Sequence, residues 1–402
     1  MNTHRPIRML TYLMFFIFAM TTDAVGVIIP VIIEAFELSL TQASAFHYGT
    51  MLAIAVSGIG LGFLSDRYGR KAIIIVGLGL FAACCFAFAM GSTFAHFLTL
   101  VTLSGLAIGI FKTAAIGLMG DISSDSGEHT RTMNMAEGFF AVGAIVGPAV
   151  VSYLLQQAFS WTYLYVFAGG LALLLALTAS RTQYPQVQKT SEAPTTLADS
   201  LRMLKDPYAL GFSFAIALYV ITEAAIYVWM PTYLLGYSGD WGLIATYALS
   251  IFFVFRALGR FLGAYILHYF QWQSVLALFT GAVALCYVGA MALGVNAAAL
   301  LLPLSGLFMS VLYPTINSKG ISCFPTQQHG AIAGVILFFT AIAAALGPMV
   351  MGLLGDIMGD VFYGFVFTAC CAVALFLLAL VNLIMDPTSA RLTERSADRL
   401  TG

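Results

Sequence analysis

Charged side chains are scarce in this sequence. Only 9% of its 402 residues are Asp, Glu, Lys or Arg, whereas 60% are hydrophobic. A soluble domain of this length needs far more charge to cover its surface, so the composition excludes an ordinary water-soluble fold. We therefore expect an all-α integral membrane protein whose main partner is the lipid bilayer.

The sequence also lacks the patterns of enzymes and of cofactor sites. Its six cysteines fall in apolar runs or near their ends, so they predict small packed side chains rather than a disulfide framework. No metal-ligand cluster, no nucleophile beside a base and no phosphate-binding loop is present. We expect no enzymatic activity, no cofactor, no metal and no nucleic acid partner.

Long apolar runs, by contrast, are abundant. A helix that crosses a bilayer needs about 20 mainly apolar residues, and the first run is too long for a cleaved signal peptide. The predicted spans are 9–33, 43–64, 72–92, 97–119, 134–155, 161–180, 208–235, 243–267, 274–293, 298–318, 330–354 and 362–385. The sequence therefore predicts twelve transmembrane helices, in a multi-pass protein of a bacterial inner membrane.

Positive charge is missing from one side of these spans. Of the 17 Lys and Arg residues, Lys112, Arg256 and Arg260 lie within spans, and every other one lies at a terminus or in an even-numbered connection. Cytoplasmic connections carry the excess of Lys and Arg in membrane proteins. Both termini are therefore predicted to be cytoplasmic.

The two halves of the chain repeat a pattern of small residues and prolines. Gly147-Pro148 in span five recurs as Gly347-Pro348 in span eleven, at an offset of 200 residues. Three further matches between the two halves occur, and all four matches keep the same chain order at an offset of 200 or 201 residues. Because proline removes a backbone donor and favours a bend, we expect these two Gly-Pro pairs to act as hinges.

This repeat predicts three parts of the chain: an N-terminal six-helix bundle over 1–180, a cytoplasmic linker over 181–207 and a C-terminal six-helix bundle over 208–402. Six is an even number, so the two pseudo-symmetric bundles have the same orientation in the membrane. Such parallel repeats suit a substrate site at the midplane between the bundles, opened to each side in turn. We expect the protein to act as a monomer.

A charged motif follows span two, where residues 62–71 read GFLSDRYGRK. It resembles the signature loop of the major facilitator superfamily, Gly-x-x-x-Asp-Arg-x-Gly-Arg-Lys, at every defined position. The matching residues are Gly62, Asp66, Arg67, Gly69, Arg70 and Lys71. The resemblance implies the major facilitator fold. It also implies that these residues gate the cytoplasmic side, with Asp66 and its cations forming a charge lock against span eleven.

A closer resemblance extends through both halves. LYVITEAAIYVWMPTYL (218–234), LGRFLGAYI (258–266) and GLFMSVLYPTINS (306–318) resemble spans seven, eight and ten of the fucose:proton symporter family, and NMAEGFFAVGAIVGP (134–148) resembles its span five. This implies proton-coupled uptake of a monosaccharide or a related small polyol. Lys112 is a departure, because a carboxylate often stands at that position in the family.

Charges within the spans mark the candidate site, because a charge facing lipid is costly. Lys112 has no other charged residue within eight positions. The helical rise places it at the depth of Glu137 on the next span, so we expect a Lys112–Glu137 ion pair. Asp23 and Glu223 lie at equivalent mid-depth positions of spans one and seven. We expect them to face each other and to bind a proton or substrate.

Span seven adds aromatic residues to its carboxylate. Tyr219, Glu223 and Tyr227 are four residues apart and share one helix face. A carboxylate between two tyrosines suits a sugar, whose hydroxyls bond to the carboxylate while its apolar face packs on a ring. Arg256 is expected to neutralise Glu223 or another carboxylate of the substrate site. The remaining polar candidates for the substrate site are Asn134 and Asn317.

Three functions stay open at this point. The first is a secondary transporter that imports a small hydroxylated solute by proton symport. The second is a proton-coupled exporter of drugs or metabolites, because GAIVGP (143–148) also resembles the Gly-Pro motif of antiporters in the same superfamily. The third is a transporter of a small organic anion. Three intramembrane cations balance three intramembrane carboxylates, which favours a neutral solute.

Overall fold

The described part of the structure, a computed structural model, is helical and contains no strand. It comprises residues 5–61, 63–123, 126–184, 203–325 and 328–388. The chain divides into two compact units, Met1–Thr190 and Ser191–Gly402. This division falls within the polar segment that separates the two predicted bundles.

The first unit contains eight helices among its described residues. They are α1 (Arg5–Thr22), α2 (Val25–Phe36), α3 (Leu40–Leu61), α4 (Phe63–Tyr68), α5 (Arg70–Ala87), α6 (Phe94–Asp121), α7 (Ser126–Gln156) and α8 (Thr162–Arg181). Helix α1 packs against α7, α3 packs against α6, and α5 packs against both α6 and α8.

The second unit also contains eight helices among its described residues. They are α9 (Pro207–Tyr233), α10 (Gly242–Thr246), α11 (Ala248–Tyr269), α12 (Trp272–Leu293), α13 (Val295–Met309), α14 (Leu312–Ser322), α15 (His329–Met358) and α16 (Phe362–Met385). Helix α9 packs against α15, α11 packs against α13, and α12 packs against both α13 and α16.

The packing within each unit therefore follows one plan, in which the first span contacts the fifth, the second contacts the fourth, and the third contacts the fourth and the sixth. Glycines sit at the tight crossings. A Cβ added at Gly147 would lie 2.1 Å from Met20 O, and one added at Gly259 would lie 2.1 Å from Leu307 O. Small residues allow helix backbones to approach this closely, so a larger side chain at Gly147 or Gly259 would push the helices apart.

Eleven helical segments among the described residues are long and apolar enough to cross a membrane. Each coincides with a predicted span. The remaining predicted span, 43–64, falls on α3, a 22-residue helix whose first half carries polar side chains such as Gln42 and His47. Together these helices account for the twelve expected spans, and the predicted all-α membrane fold is confirmed.

Span ten is interrupted between α13 and α14, at Ser310 and Val311. Pro314 explains this interruption, because proline has no N–H to donate to the carbonyl of Ser310 four residues earlier. Separately, the hydroxyl of Ser310 donates to Leu307 O at 2.9 Å. The interruption leaves carbonyl groups at the end of α13 for other partners.

Span one is interrupted between α1 and α2, at Asp23 and Ala24. The Asp23 N–H still donates to Ala19 O at 2.9 Å, but the Val27 N–H donates to Ala24 O, three residues back, at 3.1 Å. The backbone thus tightens locally to a 3₁₀-type turn. Because this lies well inside a 32-residue apolar segment, a carboxylate is held at an irregular point of a spanning helix.

Candidate functional site

Lys112, on α6, is surrounded by phenylalanine rings. Its ammonium nitrogen lies 4.2 Å from the ring centroid of Phe18, 5.7 Å from that of Phe15 and 5.9 Å from that of Phe140. Phe15 and Phe18 belong to α1 and Phe140 to α7. We call these three rings the phenylalanine cage. A cation over an aromatic face is attracted by the negative ring face.

The expected Lys112–Glu137 ion pair is not formed. Among the described residues, no carboxylate is in contact with the Lys112 ammonium, which lies over Phe18 instead. The charges of Glu137 and Asp23 act on it without contact. The prediction matched the two residues by depth along their helices, but the direction of a long side chain is not set by depth.

In the second unit, Glu223 is 8% exposed and has two partners on the same oxygen. The Tyr219 hydroxyl donates to Oε1 at 2.8 Å, and Nη2 of Arg256 lies 2.5 Å from Oε1. The pairing of Arg256 with Glu223 is the one expected from the sequence. Within the described residues, the second carboxylate oxygen, Oε2, receives no hydrogen bond.

The interrupted span ten is tied to this carboxylate through Tyr219. The Tyr219 hydroxyl also lies 3.2 Å from Met309 O, at the end of α13. The ring centroids of Tyr219 and Tyr313 are 6.0 Å apart. On α12, Tyr287 donates its hydroxyl to the carbonyl of Thr222 at 2.5 Å. The carboxylate of Glu223 is therefore joined to α11 through Arg256 and to α13 through Tyr219, and the neighbouring backbone of α9 is joined to α12 through Tyr287.

The other predicted polar residues are less closely grouped. Tyr227 is half-buried on α9, one turn beyond Glu223, and Asn134 is exposed on α7, one turn before Glu137. Asn317 is half-buried on α14 and makes no hydrogen bond to the described residues. Across the described part of the chain, no group of His, Cys, Asp and Glu side chains could hold a metal ion.

The three cations of the signature motif, Arg67, Arg70 and Lys71, each contact other residues of the first unit. Arg70 Nε lies 3.1 Å from Asp121 Oδ2, at the end of span four. Arg67 is exposed and lies over the ring of its neighbour Tyr68 at 5.3 Å. Gly69 precedes α5 with φ of 88°, a backbone conformation that favours glycine.

Lys71 ties the motif to the end of span six. Its ammonium donates to Ser180 O at 2.7 Å and to Thr182 O at 2.8 Å, so it satisfies carbonyls at the C-terminus of α8. Two parts of the motif lie outside the described structure: the residue Gly62 and the side chain of Asp66. Their predicted gating role, like that of the whole motif, stays a prediction.

Both Gly-Pro pairs lie inside long helices, Gly147-Pro148 in α7 and Gly347-Pro348 in α15. The indole of Trp229 donates to Pro348 O at 2.9 Å, which ties α15 to α9. A Cβ at Gly347 would meet only the Ile221 side chain closely, at 3.1 Å, so the crossing is looser than the one at Gly147. The hinge role of these pairs stays a prediction.

Sequence reasoning missed the phenylalanine cage and two ion-pair partners. Phe15 and Phe18 are three residues apart on one helix, a spacing that could have indicated a shared face. Glu128, which pairs with Arg8 to join the start of α1 to the start of α7, and Asp121 carried no such signal. Their positions follow from tertiary packing.

Comparison with known proteins identifies the family. A family model described as Major Facilitator Superfamily matches residues 11–348. The L-fucose-proton symporter of Escherichia coli (strain K12) is 26% identical over 412 residues, which cover 91% of this chain and 90% of the symporter. Multidrug resistance protein 2 of Bacillus subtilis (strain 168) is 23% identical over 359 residues, covering 85% of this chain and 87% of that protein.

A solved structure shares the fold. The crystal structure of a mutant of the nucleoside transporter NupG matches with a TM-score of 0.78 at 14% identity, covering 94% of this chain and 99% of that one. These findings confirm the resemblance drawn from the signature motif and the prediction of a transporter rather than an enzyme. The chain therefore belongs to the Major Facilitator Superfamily and is a multi-pass membrane transporter.

Proposed function

We propose that this transporter carries a small hydroxylated solute of the monosaccharide class together with a proton. The support comes from the different charge balance of its two intramembrane clusters. In the second unit, Glu223 is neutralised by Arg256, and its Oε2 has no partner among the described residues. A carboxylate oxygen in this state can accept a hydroxyl of a neutral solute.

The second part of the proposal concerns the proton, which we place in the first unit. Its cluster contains two carboxylates, Asp23 and Glu137, and one ammonium, Lys112. Charge inside a membrane span is costly, and a proton bound by one carboxylate of this cluster removes one charge. We assign the proton to this cluster, with Asp23, at the interruption of span one, as the group that takes it up.

The relatives are compatible with this assignment. One of them is an L-fucose-proton symporter, whose name states both a sugar and a coupling proton. Discontinuous helices in secondary transporters commonly lie next to substrate and ion sites. In this chain Asp23 lies at such a discontinuity, and Glu223 is linked to a second one through Tyr219.

The proposal includes the direction and topology of transport. Import is the direction that proton symport takes under an inward proton gradient. Cytoplasmic termini are supported by the Lys and Arg distribution, and a bacterial inner membrane is supported by the bacterial relatives. We propose a monomeric unit. Fusing a fluorescent protein that matures only in the cytoplasm to each terminus tests the topology. A dark fusion at either end, with the protein present in the membrane, contradicts it.

Uptake by purified protein in liposomes tests the function. Labelled monosaccharides, polyols and nucleosides are offered with an inward proton gradient, a sodium gradient or no gradient. We expect accumulation of a monosaccharide-like solute with the proton gradient alone, abolished by a protonophore. Accumulation that follows sodium, or no accumulation of any hydroxylated solute, contradicts the proposal.

Two variants separate the assigned roles. Asp23→Asn should abolish proton-driven accumulation but retain solute exchange, because the solute ligand is intact. Glu223→Gln should weaken solute binding itself. Glu34→Gln, at an exposed position of α2, is the matched control and should behave as wild type. If Asp23→Asn leaves proton-driven accumulation intact, the proton is bound elsewhere.

A second candidate, a proton-coupled exporter, is favoured by the similarity to multidrug resistance protein 2 and by the Gly147-Pro148 pair. The same liposomes distinguish it. Transport of lipophilic cations or drugs against an opposing proton gradient, without transport of hydroxylated solutes, would favour export.

A further inference from the structure

The phenylalanine cage has the composition of a binding site for an organic cation. Three aromatic rings approach one ammonium group, and the nearest centroid is 4.2 Å from the nitrogen. Phe18 and Phe140 also contact each other, with centroids 5.3 Å apart and planes at 62°, so the rings support one another. Aromatic cages of this kind recognise quaternary ammonium ligands.

The charges around the cage favour the same ligand class. Glu137 and Asp23 act electrostatically on the ammonium, but no carboxylate of the described residues contacts it. A ring of phenyl groups with carboxylates at a greater distance attracts a cation without forming hydrogen bonds to it. A quaternary ammonium, which has no N–H to donate, is suited to such a setting.

In this chain the cation in the phenylalanine cage is a side chain of the protein itself, the ammonium of Lys112. Lys112 lies on α6, whereas the rings come from α1 and α7, so the side chain crosses between helices to place its ammonium in the cage. A lysine that served only to reach water would extend toward an aqueous surface. This ammonium instead lies among rings of which two, Phe15 and Phe18, are buried.

We propose that Lys112 is a tethered ammonium that fills a cation-binding cage and so determines the specificity of the transporter, excluding small organic ammonium ions. The proposal deepens the proposed function, because it assigns the reason why the solute is uncharged. Removing the lysine side chain leaves the three rings and both carboxylates, and the emptied cage then accepts a free ammonium ion of similar size.

Tetramethylammonium binding to the purified full-length protein tests the inference. Binding is measured by calorimetry and by thermal stability, with sodium chloride at matched ionic strength as the reference. We expect Lys112→Ala to bind tetramethylammonium at least about tenfold more tightly than wild type, as one cation over several desolvated rings permits. Lys112→Arg keeps a tethered cation and should bind no better than wild type.

A second substitution locates the ligand. Adding Phe18→Leu to Lys112→Ala removes the ring closest to the cation and should cancel most of the gain. Equal binding by the double variant would place the ligand elsewhere and overturn the proposal. Folded Lys112→Ala that binds no more tightly than wild type would overturn it as well.

A variant that folds poorly does not end the test. Lys112→Ser is also small, and its hydroxyl can bond to a carbonyl one turn back in α6, so it offers a second emptied cage. If Lys112→Ala or Lys112→Ser melts at a lower temperature than wild type, tetramethylammonium should restore the loss and sodium should not. None of these measurements involves the solute of wild type, so failure here is distinct from failure of the proposed symport.

Discussion

Tyr219 donates its hydroxyl to Glu223 at 2.8 Å, and the same hydroxyl lies 3.2 Å from the carbonyl oxygen of Met309. A phenol has one proton, so it serves one of these acceptors fully at a time. Met309 ends α13 at the interruption of span ten. We expect that a solute hydroxyl or a proton on Glu223 weakens its hold on Tyr219 and shifts the phenol toward Met309. The state of Glu223 would then be linked to the conformation of span ten.

Tyr219→Phe tests this link. The ring, 1% exposed, stays packed, but both hydrogen bonds are lost. A hydrogen bond to a charged group contributes about 1.5–3 kcal/mol. Because a bound solute would no longer have to weaken this bond, we expect the apparent KM of the transported solute to fall by up to about tenfold. The measurement is uptake at varied solute concentration. Tyr313→Phe, which loses a longer contact to Thr340 at 3.5 Å, is the matched control. An unchanged KM in Tyr219→Phe would contradict the linkage.

Removing Arg256 should destabilise the second unit. The side chains of Arg256 and Glu223 are 21% and 10% exposed, so Arg256→Ala leaves a largely buried carboxylate without its cation. We expect a loss of roughly 3 kcal/mol, the lower end of the cost of breaking a buried pair, seen as a lower melting temperature in detergent. Arg67→Ala, at an exposed cation, should change little.

The double variant Arg256→Ala/Glu223→Gln provides the check. It removes both charges, so its melting temperature should recover toward that of wild type even though transport is lost. If the double variant is as unstable as the sum of the two single variants, the two residues do not act as a pair.

The sequence contains a clear signal for one of the two helix interruptions and only a weak one for the other, although neither was predicted. Pro314 marks the one in span ten, because a missing N–H four residues after Ser310 is visible in the sequence. No proline follows Asp23 at that distance. The hydroxyls of Thr21 and Thr22, which bond back to Phe18 O at 3.1 and 3.0 Å, compete for helical acceptors and often bend helices. That is a weak signal before the packing is known.

Contacts in the candidate site can be predicted from the sequence where charge balance determines the partner. They cannot be predicted where the direction of a long side chain determines it. A buried carboxylate requires a cation, so Arg256 could be assigned to Glu223 from composition and depth. Lys112 and Glu137 also match in depth, but a lysine stem can extend toward any neighbouring helix. Here the rings of Phe15 and Phe18 on α1 offered the ammonium a closer partner than the carboxylate on α7.

Gly147→Ala should separate α7 from α1. The added Cβ would lie 2.1 Å from Met20 O, a backbone atom that cannot rotate away, so the helices must move apart next to the interruption at Asp23. We expect reduced stability and reduced transport. Gly138→Ala, on the same helix with nothing within 4 Å of its added Cβ, should be neutral or stabilising by up to about 1 kcal/mol. Equal effects of the two substitutions would show that backbone contact is not the cause.

Tyr184, beyond the end of α8, should make the protein sensitive to alkali. Burial raises the pKa of Tyr184 to about 12, whereas an exposed tyrosine titrates near pH 10. Between about pH 10 and 12 the unfolded chain loses this proton while the folded protein keeps it, so the free energy of unfolding falls as pH rises through that window. Its hydroxyl has no hydrogen-bond partner among the described residues, so Tyr184→Phe should cost little at pH 8.

At pH 11 the Tyr184→Phe variant should therefore melt at a higher temperature than wild type, although the two melt together at pH 8. Lys71, whose ammonium lies 5.7 Å from the centroid of this ring, is present in both proteins, so the difference between them isolates the phenol. Tyr68→Phe, which alters an exposed tyrosine, is the control and should follow wild type at both values. Parallel melting curves for wild type and Tyr184→Phe at pH 11 would mean that the phenol ionises in the folded protein as readily as in the unfolded chain.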